Sequence, residues 1–306
     1  MLDGTYKRFG PEVRVPHTGR IKFGTESNGG FRNITISNCV FEGCQGLALE
    51  SVDGALLEDV TVDNLSMRDI VSAPIFLRLG RRMRGPDNTP VGTLKRVIIS
   101  NVVCSNASAR LGSIISGIPG HEIEDVKISN VQILHQGGGT KEDAAYQPPE
   151  YEETYPEPTM FVSGPRANGR GADGQWHPEG YGRGAAGRGA AGGRGGAAGN
   201  AAGAGGGAGR GRGGAPAELH SMPSQGFYIR HVKGIQFDNI EIRAEKEDLR
   251  PAFVLDHVED ADFFRIKVPK VAGVPEFALH HVSDFAVHMC SGVADTQVAQ
   301  ADEKTL

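Results

Sequence analysis

The chain has 306 residues, of which 39% are hydrophobic and 23% are charged, and its formal net charge is −5 at pH 7. It is long enough to bury a sizeable core, and it lacks the overall basic character of a protein whose main partner is nucleic acid. It contains no run of 18 apolar residues, so no membrane partner is expected. Its four cysteines lack the paired spacing of a zinc site or a disulfide framework, and we expect no metal and no cofactor.

A ten-residue segment recurs five times along the chain. The copies are RNITISNCVF at 32–41, EDVTVDNLSM at 58–67, KRVIISNVVC at 95–104, EDVKISNVQI at 124–133 and KGIQFDNIEI at 233–242. Apolar residues occupy the same alternate positions in every copy, and one column holds only asparagine: Asn38, Asn64, Asn101, Asn130 and Asn239. Alternation with a period of two predicts strands, and repeats of 26 to 37 residues with no helical pattern between them predict a β-solenoid.

Stacking of such coils places like residues on like, so that the apolar columns become continuous buried stripes. Asparagine suits the turn of each coil because it tolerates the left-handed backbone region and its amide can bond to the neighbouring coil. The sequence therefore predicts an all-β fold, a right-handed parallel β-helix. An antiparallel sandwich with Asn-rich turns is the alternative, but that fold does not require the columns to align.

A second series of short strands precedes these copies, beginning with IKF at 21–23. If the alternate apolar residues point inward, the residues between them point outward on one face. The outward residues expected along one line are Lys22, Glu50, Arg78, Arg230, Asp256 and His280. Because successive coils are about 4.8 Å apart, this line is either a solvated face of paired charges or one wall of a substrate cleft.

The repeat pattern divides the chain into four parts. Residues 1–161 and 222–293 are predicted to form the first and last groups of coils, and 294–306 a flexible tail. Between them, residues 162–221 include a Gly-, Ala- and Arg-rich run with few large apolar residues, which predicts a disordered loop insertion. An RNA-binding role for the Arg/Gly run is the alternative, but a tolerated insertion is favoured because lengthening a loop costs little free energy.

Three segments outside the insertion resemble family 28 of the glycoside hydrolases, the polygalacturonases and their bacterial relatives. They are GTES with GGFRNI at 24–34, APIFLRLG at 73–80, and YPEPTMF at 155–161 with GFYIRHV at 226–232. The last pair is similar to a pattern of the bacterial branch, whose two halves the insertion separates here. The resemblance implies a right-handed parallel β-helix, secreted or periplasmic, that hydrolyses pectin-type polysaccharide containing galacturonic acid with inversion.

The catalytic motifs of that family are missing from the chain. Inverting hydrolysis needs one carboxylic acid and one carboxylate at a fixed separation. In the family, aspartates of an Asn-Thr-Asp strand and an Asp-Asp pair supply them, and neither motif occurs here. Both precede the GTES-like stretch in the family, whereas only 23 residues precede Gly24. We therefore expect a C-terminal portion of a bacterial-type member that is weakly active or inactive on its own.

The remaining site candidates follow from residue chemistry. Glu26 and Glu50 are the carboxylates expected to take part in acid–base catalysis, and structural ion pairs with Lys22 or Arg78 are the alternative. The substrate-binding candidates carry charge suited to a uronate carboxylate. They are Arg20 and Lys22 on one strand face, Arg78 and Arg81 at the start of a basic loop, and Arg230 with His231.

Three functions remain open on the sequence alone. The first is a glycosidase of the polygalacturonase type, and the second is a noncatalytic β-helix that binds an acidic polysaccharide or oligosaccharide. The third, a polysaccharide lyase, is less favoured because Ca²⁺ would need several carboxylates that the coil spacing does not bring together.

Overall fold

The computed structural model describes residues 19–154, 157–162 and 220–306. Its strands are β1 (Ile21–Phe23), β2 (Phe31–Glu42), β3 (Leu47–Ser51), β4 (Leu56–Arg68), β5 (Ile75–Leu79), β6 (Thr93–Ala107), β7 (Ser113–Ser116), β8 (Ile123–Gly137), β9 (Phe227–Lys246), β10 (Phe253–Lys267), β11 (Phe277–His288) and β12 (Thr296–Thr305). A short helix, α1 (Lys141–Ala144), and a 3₁₀ turn (Pro158–Val162) lie between β8 and β9.

Each strand from β1 to β11 pairs in parallel with the corresponding strand of an adjacent coil. The short strands form the series β1–β3–β5–β7, and the long strands form β2–β4–β6–β8. Strand β9 continues both series, because its first four residues pair with β7 and its later residues pair with β8. Strands β10 and β11 stack beyond β9 in the same way. The prediction of an all-β parallel β-helix is confirmed.

The strand register aligns the apolar columns of the repeat. Ile36, Val62, Ile99, Ile128 and Phe237 are successive partners in one column, and all of them are buried. Burying side chains of this size contributes roughly 1.5–3 kcal/mol each to the folded state. The core is therefore a stack of like side chains along the axis of the helix.

Phenylalanine fills the core of the last coils. The ring of Phe253 is stacked between those of Phe227 and Phe277, at centroid distances of 5.7 and 5.1 Å. Offset stacking of this kind adds to the free energy gained by burial alone. The last coils are thus the most aromatic part of the core.

The asparagine column adopts the left-handed backbone conformation throughout. The φ angles of its five members lie between 53° and 58°. Asn239 donates through Nδ2 to Oδ1 of Asn130 at 2.9 Å, and Asn130 donates in turn to Asn101 at 3.2 Å. Asn101 departs from a pure asparagine ladder, because its Nδ2 bonds to Oδ1 of Asp63 at 2.7 Å. The predicted role of asparagine at this turn agrees with its geometry.

The end of the chain differs from the prediction. Residues 294–306 were expected to be a flexible tail, but β12 spans Thr296–Thr305 and pairs antiparallel with β11. Only Val298 and Ala301 of this polar strand are buried against the last coil. The strand covers an edge of β11 that would otherwise expose unpaired backbone groups. A strand stabilised mainly by edge pairing carries little hydrophobic pattern, which is why the prediction was wrong.

The predicted disordered insertion falls almost entirely on residues 163–219, which lie outside the described residues. Across the ranges that are described, the helices are all too short and too polar to cross a membrane.

We predict that Asn130→Ala lowers the free energy of unfolding by about 1–2 kcal/mol, because alanine is strained in the left-handed region and leaves two amide partners unbonded. Asn130→Gly should cost less, since glycine adopts this conformation freely. Urea denaturation followed by circular dichroism measures both variants. Equal losses for alanine and glycine would show that backbone conformation is not what asparagine supplies.

Candidate functional site

The outward face of the short-strand series carries two parallel columns of side chains. One is apolar over most of its length and consists of Lys22, Ala48, Phe76, Ile114, Tyr228, Val254 and Ala278. The other is polar and consists of Glu50, Arg78, Ser116, Arg230, Asp256 and His280. The predicted outer line is therefore present, but Lys22 lies in the apolar column. The register pairs Lys22 with Ala48, which places Gly24 rather than Lys22 at the level of Glu50.

A segment of the chain covers the middle of this face. Tyr151, Met160, Phe161, Val162 and Met222 form a second apolar cluster with the outward residues of β3, β5, β7 and β9. This segment, called here the cover, comprises residues 144–154, 157–162 and 220–224. Because the cover buries the face over the central coils, the polar column there is not a solvated cleft.

Arg78 is completely buried beneath the cover. Its Nη2 donates to the backbone oxygens of Glu150 and Tyr151 at 2.8 and 2.9 Å, and its Nη1 donates to Oγ of Ser116 at 2.7 Å. Burial, with the neighbouring charge of Arg230, lowers the pKa of Arg78 to about 9. The prediction that Arg78 binds substrate does not fit this environment, because the guanidinium holds the cover in place.

Arg230 has a similar role two coils further along. Its Nη1 and Nη2 donate to the backbone oxygens of Pro148 and Pro149, each at 2.8 Å. The adjacent His231 is also buried, and its Nε2 lies 3.1 Å from Oε1 of Glu150. Burial raises the pKa of the Glu150 carboxyl, but the hydrogen bond with His231 and the charge of Arg230 outweigh it and lower the pKa overall. Both predicted ligands thus anchor one wall of a cleft.

The basic loop after β5 is neutralised by nearby carboxylates. Arg81 Nη2 lies 2.7 Å from Oε2 of Glu152 in the cover. Arg84 lies 3.5 Å from Glu26, whose side chain is 74% exposed. Between them, Arg82 forms a bidentate ion pair with Asp53. Arg81 and Arg84 thus form partly exposed ion pairs and Arg82 a buried one, and the exposed Glu26 differs in burial from the other catalytic candidate, Glu50.

Three predicted residues do come together near β1. Lys22 Nζ lies 3.1 Å from Oε1 of Glu50 and 3.3 Å from Oε1 of Glu157, which also accepts from Arg20 Nη2 at 2.6 Å. Glu50 is fully buried, and burial raises the pKa of its carboxyl from 4.5 to about 7, against the opposing charge of Lys22. The cluster therefore combines a carboxyl that protonates near neutral pH with a second carboxylate.

An open cleft lies beside the end of the cover. It has a volume of about 690 Å³ and extends over β9, β10 and β11. Tyr228, Val254 and Ala278 form its floor, and residues 144–150 of the cover form a wall that includes Tyr146. Its polar lining comprises Glu150, Arg230, Asp256, His257, His280, His281 and Glu303.

Histidines recur at one turn of the three coils beside this cleft. The ring of His257 lies 5.1 Å from that of His231 and 4.5 Å from that of His281. All three residues have φ between 50° and 53°, in the region that asparagine occupies at other turns. Asp256 joins the column, because its Oδ1 lies 2.7 Å from Nδ1 of His257.

Sequence reasoning assigned no role to His257 or His281 and missed the contributions of Tyr146, Glu150 and Glu157. One signal was available in the repeats YIRHV, VLDHV and ALHHV at 228–232, 254–258 and 278–282, where histidine always precedes valine. The cover gave no such signal, because its contacts join residues far apart in sequence.

No protein-family model, curated protein or solved structure matches this chain.

We predict that the free energy of unfolding falls as pH rises from about 4.5 to about 7, since the folded protein holds the Glu50 proton more tightly than the unfolded chain does. The stabilisation by the Glu50 proton is complete below about pH 4.5 and lost above about pH 7. It amounts to about 3 kcal/mol for this shift in pKa. Glu50→Gln should flatten that part of the profile in urea denaturation. The exposed Glu26→Gln is the matched control, and a profile unchanged by Glu50→Gln would contradict the assignment.

Arg78→Lys should destabilise the protein by about 2–4 kcal/mol, because a single ammonium group cannot satisfy the carbonyl oxygens that the guanidinium bonds. Hydrogen–deuterium exchange should also quicken in residues 150–154 of the cover. Arg81→Lys, at a half-exposed ion pair, should leave both properties nearly unchanged. Equal behaviour of the two variants would mean that Arg78 does not hold the cover.

Proposed function

We propose that this protein is a carbohydrate-active parallel β-helix whose cleft over β9–β11 binds part of a pectin-type, galacturonic-acid-containing chain. The observation that carries the proposal is the cleft itself, whose lining residues occupy equivalent positions on three successive coils along the helix axis. Equivalent positions at a fixed spacing suit a polymer of repeating units. The resemblance of the sequence to polygalacturonases supplies the class of polymer.

The surfaces of the cleft suit a sugar chain. Tyr228, Val254 and Ala278 offer an apolar floor for the C–H faces of sugar rings, and Tyr146 stands in the wall with its ring stacked on His220 at 4.2 Å. Carboxylates and imidazoles along the rim supply acceptors and donors for hydroxyl groups. An apolar floor combined with polar groups at fixed positions is a usual feature of a small-ligand site.

Recognition of acid groups would rest on different residues from those predicted by the sequence. The guanidiniums of Arg78 and Arg230 bond to backbone oxygens of the cover. His280, which is exposed over more than a third of its side chain and lies 2.8 Å from Glu303, faces the cleft instead. We therefore assign recognition of a uronate carboxylate mainly to His280.

Glycoside hydrolysis is a second candidate, favoured by the cluster near β1. Glu50, whose pKa is about 7, and Glu157 both contact the ammonium group of Lys22. Inverting glycosidases use one protonated and one ionised carboxyl group. Because Glu50 has no exposed surface, binding at the open cleft is the better supported function.

Calorimetric titration with galacturonate oligomers, in buffer containing EDTA, tests the binding proposal. We expect binding that weakens with salt and at least tenfold lower affinity for Tyr146→Ala and His280→Ala. His288→Ala, at the far end of β11, is the matched control and should bind normally. Absence of binding, or equal affinity of all variants, would contradict the proposal. Release of reducing sugar by the wild type, abolished in Glu50→Gln, would instead support hydrolysis at the second cluster.

A further inference from the structure

We propose that Asp256, His257 and His281 form a binding site for a divalent transition-metal ion of the Zn²⁺ class. Each residue offers one ligand atom, and the three atoms lie within 4.8 Å of one another. The site is a separate feature of the cleft wall and does not depend on the glycan proposal.

The distances among the three groups fit a small metal ion after modest side-chain rotation. Nδ1 of His257 and Nδ1 of His281 lie 2.7 and 4.0 Å from the same oxygen, Oδ1 of Asp256. Bonds of about 2.0–2.2 Å in a tetrahedral zinc site put neighbouring ligand atoms roughly 3.3 Å apart, between these two values. The side chains of His257 and His281 are 52% and 54% exposed, so their rings are free to make this adjustment.

Parallel stacking of the coils is what brings the two imidazoles together. The strand register pairs Asp256 with His280 and Val258 with Val282, so that His257 and His281 occupy equivalent turns of adjacent coils. Their rings are stacked, with an angle of 21° between the ring planes. Both rings therefore present nitrogen atoms to the same region beside Asp256.

The neighbouring groups limit the ligand set to three. His231 continues the histidine column, but it is buried and its Nε2 is engaged with Glu150. Three protein ligands beside an open cleft leave a coordination position for water or another small ligand, as in catalytic rather than structural zinc sites. Glu150 is already engaged by Arg230 and His231, at 3.3 and 3.1 Å, so Asp256 is the carboxylate that lies beside the two exposed imidazoles.

The donor set selects the class of metal. Two imidazoles and one carboxylate suit Zn²⁺, Ni²⁺ or Cu²⁺. Calcium takes six to eight oxygen ligands, and magnesium is bound mainly through oxygen. The site should therefore discriminate strongly against both of these hard cations.

Titration of the full chain with ZnCl₂ after treatment with EDTA tests the site. We expect the wild type to bind one equivalent of Zn²⁺. In both His281→Ala and Asp256→Asn this binding should be lost or its affinity lowered at least tenfold. The matched control is His288→Ala, which removes a histidine 3.9 Å from Asp295 at the other end of β11 and should keep that equivalent. Circular dichroism checks that each variant folds.

Substitution of Co²⁺ gives a second readout, since its visible absorption reports coordination by nitrogen and oxygen ligands. The spectrum should appear with the wild type and His288→Ala and disappear with His281→Ala. Zinc binding that is absent from the wild type, or unchanged in both His281→Ala and Asp256→Asn, would overturn the proposal. Binding of one equivalent of Ca²⁺ by the wild type, lost in His281→Ala, would overturn the assignment to a transition metal.

Discussion

In-register parallel pairing between coils is the constraint on which the rest of the structure depends. Once each strand lies beside its equivalent in the next coil, residues at equivalent positions of successive coils become neighbours. Apolar residues such as Ile128 and Phe237 become a continuous core. The same rule stacks asparagine amides at one turn and histidine rings at another. The core and the candidate site therefore have one geometric origin.

Repetition also creates a problem for charged residues, because it aligns them on a face that the protein partly buries. Arg78 and Arg230 are placed above one another, with Ser116 between them in the column. Carbonyl oxygens of the cover satisfy both guanidiniums, and a buried charge without such partners would be strongly destabilising. The cover ends at the last coils, and the cleft begins there. The position of the cleft is thus set by how far the cover extends.

The repeated part of the fold could be predicted from sequence because its contacts recur at a regular interval. The columns of apolar residues and asparagine identified the strands, and the outward direction of Arg78 and Arg230 was also predicted. Their burial was not, because the residues that cover them follow no repeat. The predicted alignment of Lys22 with Glu50 was wrong by two positions, because β1 is too short for its sequence to indicate its register. The strand β12 escaped prediction because edge pairing needs few apolar residues.

The candidate site was only partly accessible to sequence reasoning. Arg20, Lys22 and Glu50 were predicted and do lie together, but Glu157 joins them from the cover. The expectation of no metal site rested on cysteine spacing. The cluster proposed here instead uses histidines 24 residues apart on adjacent coils. Such a separation has meaning only when the coil length is known. The site therefore follows from the fold rather than from a local motif.

The central claim is that the functional surface is the cleft over β9–β11. Nitrogen-detected NMR of the ten histidine side chains tests it most directly, because these residues are spread over the chain. Galacturonate oligomers should shift the signal of His280, and Zn²⁺ should shift those of His257 and His281, while His121 and His288 remain unchanged. Changes confined to histidines outside the cleft, or none with either ligand, would contradict the account.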